Sequence, residues 1–147
     1  MAPLKLKLAR PNGSGASPRP APAAAPLSID ARLFDAAYYR EQNPDVAGSG
    51  ADPLDHFLAQ GWREGRNPNA WFSIHYYHLT NPDVHTFGIN PLAHYAGFGW
   101  REGRDPSASF SIAKYLNTYH DVRDAGIDPL LHYILSGRVD GRTAFHV

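Results

Sequence analysis

Phe34, Phe72 and Phe110 each open a stretch of 38 residues, and the three stretches align end to end without an insertion or deletion. They read FDAAYYREQNPDVAGSGADPLDHFLAQGWREGRNPNAW, FSIHYYHLTNPDVHTFGINPLAHYAGFGWREGRDPSAS and FSIAKYLNTYHDVRDAGIDPLLHYILSGRVDGRTAFHV. A unit this short cannot bury an apolar face alone, so neighbouring units must pack on one another. The expected organisation is a tail and linker over residues 1–28, then one repeat domain over 29–147 with units 34–71, 72–109 and 110–147. With 147 residues in all there is room for one small core and no second domain.

The punctuation inside each unit is helical. Asp35, Ser73 and Ser111 can cap a first helix whose inward face would be Phe34, Ala36 and Tyr39, then Phe72, Ile74 and Tyr77, then Phe110, Ile112 and Tyr115. Asn43-Pro44 and Asn81-Pro82 read as an N-cap followed by Pro at the first helical position, opening a short turn that Gly50, Gly88 and Gly126 end. Asp52-Pro53, Asn90-Pro91 and Asp128-Pro129 start a second main helix, with Leu54, Phe57 and Leu58 as its apolar set in the first unit. The expected fold is therefore all-α: three stacked helical repeats forming a short solenoid after a disordered N-terminal tail.

Charge is balanced overall but unevenly placed. Residues 1–28 hold Lys5, Lys7, Arg10 and Arg19 and no acid, whereas all 14 acidic residues lie beyond them. An acidic repeat region repels phosphate, so no nucleic-acid partner is expected. No apolar stretch approaches the roughly 20 residues of a transmembrane helix, and no secretory signal is read at the N-terminus. The expected location is the cytoplasm, or a cell surface reached without a leader. Cys is absent, which removes disulfides, thiolate metal sites and thiol nucleophiles.

Residues 11–26, rich in Pro, Ala, Gly and Ser, read as a linker. Before it Leu4, Leu6 and Leu8 alternate with Lys5 and Lys7, and Arg10 follows. Alternation of this kind suits a strand. With no strand expected in the repeats, these six residues are candidates for docking onto a partner protein's sheet edge by β-augmentation.

Three further sets of side chains carry candidate chemistry. His56, His94 and His132 recur once per unit, but equivalent points on packed helices lie roughly 8 to 10 Å apart, too far to share one ion at about 2 Å. They read as half-buried, hydrogen-bonded residues. His75 and His78, three apart on a helix, could begin a zinc site with His85. Asp45, Asp83 and Asp121 precede Arg66, Arg104 and Arg142 by a constant spacing, which reads as an internal ion pair tying the start of each unit to its end. Trp62 and Trp100 match Arg138 in the last unit. That pattern suits a core residue covered by the next unit, with charge where no further unit stacks. Alternatively Trp62, Trp100, Tyr38 and Tyr76 are stacking faces for a glycan. No P-loop, G-x-S-x-G or H-E-x-x-H signature is present, so no catalytic residue and no cofactor are expected.

The pattern YY…NPDV…PL.HY…GWREGRNP resembles short tandem repeats of bacterial proteins of cell-surface polysaccharide metabolism, found with rhamnan-synthesis-type glycosyltransferases, and of some large secreted proteins. It spans roughly residues 34 to 145. The resemblance implies a bacterial surface-glycan context and supplies no catalytic residues. The expected function is a non-enzymatic interaction or scaffolding module that docks a partner protein through its N-terminal segment. The alternatives are a surface carbohydrate-binding module and a metal-dependent protein.

Overall fold

The computed structural model describes residues 28–147. The expected tail, with Leu4, Lys5, Leu6, Lys7, Leu8 and Arg10, lies outside the described residues. Among those described, a single 3-10 turn at Ala31–Leu33 leads into nine helices and no strand. The first unit holds α1 (Ala36–Gln42), α2 (Pro44–Ser49) and α3 (Pro53–His56). The second holds α4 (Ile74–Thr80), α5 (Pro82–Thr86) and α6 (Pro91–His94), and the third α7 (Ile112–Thr118), α8 (His120–Ala125) and α9 (Pro129–His132).

The helices begin where side-chain oxygens can take the free amides of a first turn. Asp35 accepts from the Tyr38 amide at 3.0 Å, Ser73 from Tyr76 at 3.1 Å and Ser111 from Lys114 at 3.2 Å. Asp52, Asn90 and Asp128 cap α3, α6 and α9 in the same way, each followed by a buried Pro. Helices of four to seven residues are marginal alone. Aromatic packing holds them: in each unit the opening Phe, the helix Tyr and the ring at position 57, 95 or 133 meet with centroids 5.1–6.3 Å apart. Val46, Val84 and Val122 close each cluster from the middle helix.

Two expectations are corrected. α3, α6 and α9 do not run on as α-helices but widen into single π-helical turns at Phe57–Gly61, Tyr95–Gly99 and Tyr133–Gly137. The Trp62, Trp100 and Arg138 amides donate five residues back, at 3.2, 3.2 and 2.9 Å. The extra residue in the turn rotates the positions after it, so Gly61 and Trp62 turn inward while Leu58, expected on the apolar face, is 42% exposed. Asn43 and Asn81 do sit before Pro, but their side chains make no N-cap bond. They turn back instead and donate to the Tyr39 and Tyr77 carbonyls at 2.7 and 2.9 Å, closing the helix before them.

Neighbouring units are joined by the loop that ends each one. The Asp35 amide donates to the Pro68 carbonyl and Ser73 to Pro106, at 2.9 and 3.0 Å, folding each loop back on its own unit. The same loop reaches forward, Asn67 and Asp105 accepting from the Ile74 and Ile112 amides at 2.9 and 2.8 Å. Contact also skips a unit. Trp71, the last residue of the first, meets Tyr133 of the third edge-on at 5.3 Å.

Candidate functional site

In each unit one tyrosine of the first helix reaches across to the third. The Tyr39, Tyr77 and Tyr115 hydroxyls lie 2.9 Å from Nδ1 of His56, His94 and His132. The hydroxyl fits because the next turn carries glycine: a Cβ at Gly61, Gly99 or Gly137 would fall on that oxygen. Burial raises the Tyr77 phenol and lowers His94, so both partners of that pair stay neutral near pH 7, and it pushes the Tyr115 phenol up to about 12. The recurring histidines thus have a hydrogen-bonded place in the fold and do not converge on one another.

The Asp and Arg pairs form as the spacing requires. Arg66 holds Asp45 through both terminal nitrogens at 2.8 and 2.9 Å, Arg142 holds Asp121 at 2.9 and 2.8 Å, and Arg104 holds Asp83 at 2.9 and 3.0 Å. The guanidinium keeps each carboxyl below its ordinary range, and the carboxylate in turn raises each arginine. Arg66 and Arg104 also donate to Asn43 and Asn81 at 3.0 Å and to Glu64 and Glu102 at 2.9 and 2.8 Å. Where the third unit has Tyr119 for asparagine, Arg142 lies over that ring at 4.7 Å, while its hydroxyl accepts from the Thr143 amide. Gly65, at φ +79°, makes the turn that aims Arg66 back across the unit.

The candidate stacking residues occupy different environments. Trp62 is 7% exposed within the core cluster and donates its indole N–H to the Leu58 carbonyl at 3.2 Å. Trp100 is half-buried against the core, and Tyr38 and Tyr76 are half-buried on their helices. Each tryptophan has the next residue's guanidinium over its ring, Arg63 at 4.5 Å and Arg101 at 4.4 Å. Arg138 lies over Trp71 at 4.9 Å, so the charge in the last unit serves a contact with the first. Sequence reasoning passed over Trp71 because its counterparts, Ser109 and Val147, share no chemistry with it.

His78 and His85 come together, with ring centroids 4.7 Å apart. Among the described residues, no group of three or more His, Asp or Glu side chains is arranged to hold a metal ion. No helix there is long and apolar enough to cross a membrane.

Asp128 caps α9 and also joins two units: the Tyr95 hydroxyl donates to its Oδ1 at 2.7 Å. Burial pushes its carboxyl up to about 6 against those hydrogen bonds. Sequence reasoning read it as a cap alone, since a partner 33 residues away leaves no local signal. Comparison with protein-family models, curated proteins and solved structures finds no match to this chain.

Proposed function

We propose that this protein is a non-enzymatic helical-repeat module that scaffolds a partner protein, docking it through Leu4, Lys5, Leu6, Lys7, Leu8 and Arg10. One observation carries the reading. Of the residues common to all three units, the Phe, Tyr, His, Asp, Arg, Pro, Val and Gly are engaged within the fold, in ring packing, the Tyr–His bond, the Asp–Arg clamp, a buried cap-following Pro, a buried Val, or a glycine turn. A module whose repeated residues are largely engaged internally is suited to presenting its variable residues and its extension to a partner. The alternating Leu and Lys residues fit an edge strand on that partner, with leucines on one face and lysines on the other. A bacterial surface-glycan context is part of the proposal, resting on the NPDV and GWREGR pattern.

The test is affinity purification from the source organism with the full chain and with a variant carrying Leu4→Asp, Leu6→Asp and Leu8→Asp. The reading expects the melting temperature to stay put and a specific partner to be lost. Equal recovery by both chains would mean that the repeats carry the interaction.

The carbohydrate alternative rests on Trp100, which is more exposed than Trp62. Binding on a glycan array that disappears in Trp100→Ala, with folding intact, would put that reading first.

A further inference from the structure

The three units act as controls for one another, and by that standard the second carries three imidazoles at positions where neither neighbour has one. His75, His78 and His85 stand where the first unit has Ala37, Arg40 and Ala47 and the third has Ala113, Leu116 and Arg123. None of the three serves the scaffold, whose histidine in this unit is His94. His78 projects from α4 and His85 from α5, and the break between the helices at Asn81 brings the rings together.

Nε2 of His78 is buried and has no hydrogen-bond partner. A buried polar nitrogen without a partner costs free energy, and folded proteins rarely leave one so. Its nearest aromatic neighbour is another imidazole, at 4.7 Å and 60° between planes. An ion bound at about 2.0–2.1 Å from one nitrogen of each ring would hold two adjacent imidazoles with centroids roughly 4.5–5.5 Å apart. The observed separation falls in that range.

We propose that the second unit carries a surface site for one borderline divalent cation, Zn2+ or Ni2+, held by His78 and His85 with water filling the remaining positions. Imidazole suits these ions, and a site with two protein ligands leaves positions open to solvent or to a donor from a partner. His75, one turn before His78 on α4, lies close enough to influence it.

Zn2+ titrated into the full chain, followed by imidazole proton resonances and by calorimetry, tests the site. One-to-one binding that shifts the His78 and His85 resonances is expected, and His78→Gln and His85→Gln should each weaken it by about tenfold or more. His85 is exposed, so its variant reports on binding even if His78→Gln lowers stability. Thermal melts of both variants identify any loss of fold. Binding that survives undiminished in His85→Gln, or resonances of His78 and His85 that stay fixed in excess Zn2+, would overturn the proposal.

Discussion

At Gly99 the space a Cβ would need is already filled by the Tyr77 hydroxyl, which is also bonded to His94, so three side-chain identities in the second unit depend on one oxygen atom. Gly99→Ala should cost on the order of 1–3 kcal/mol by overpacking, and Tyr77→Phe a similar amount by leaving Nδ1 of His94 without its partner. Because the phenylalanine variant removes the clashing atom, the double variant should be much less unstable than the sum, which denaturant unfolding of all four proteins would show. Simple additivity would mean that the hydroxyl is not the group that excludes the methyl. Asp128 offers a second residue-scale test. Its folded-state pKa, about 6, lies above that of an unfolded aspartate, so the folded form binds the extra proton and stability falls as pH rises between those values. Asp128→Asn keeps an acceptor for Tyr95 and for the α9 cap, as Asn90 does for α6. The variant should be more stable above about pH 6, by on the order of 1–3 kcal/mol. The gain should vanish near pH 4, and a pH-independent difference in melting temperature would contradict this account of the carboxyl.

Each unit is built from three short helices, and the starts of the first and third were plain in the sequence because caps and prolines act within a turn of the chain. Asp35, Ser73 and Ser111 bond the amides that their positions implied, and the Asp–Arg spacing led to pairs that form in every unit. The features that the sequence concealed depend on tertiary neighbours. The glycine that closes each π turn is required by a hydroxyl arriving from another helix, and the reversed Asn43 and Asn81 side chains meet an arginine 23 residues away. The docking segment offers only its alternation, which lies outside the described residues. At this scale Asp83 and Arg104 should couple in a double-mutant cycle read by unfolding, by on the order of 0.5–1 kcal/mol since the pair is half open to water. The folded-state pKa of Asp83 is depressed. The coupling should therefore be fully present above the ordinary aspartate range and fade as pH falls through the lower folded value. Independent effects of the two substitutions would show that the contact contributes nothing.

For the molecule as a whole, neighbours are joined through backbone loops, but the first and third units also meet through Trp71, Tyr133 and Arg138. Trp71→Ala should therefore lower stability by on the order of 2 kcal/mol. Its effect on amide exchange should appear in the third unit as well as the first, whereas protection lost only around residue 71 would mean that the contact does not transmit stability. The most direct test of the claim that the shared residues exist to hold the units together is a complete substitution scan of residues 29–147 scored by protease-resistant folding. Sensitivity is predicted to repeat every 38 residues. Its peaks should fall at the shared Tyr, His and Gly and at the Asp–Arg pair, and its troughs at exposed positions such as Phe87 and Val139. A scan in which His56, His94 and His132 and the three Asp–Arg pairs tolerate substitution without loss of folding would contradict the account, and would assign those residues to a function instead.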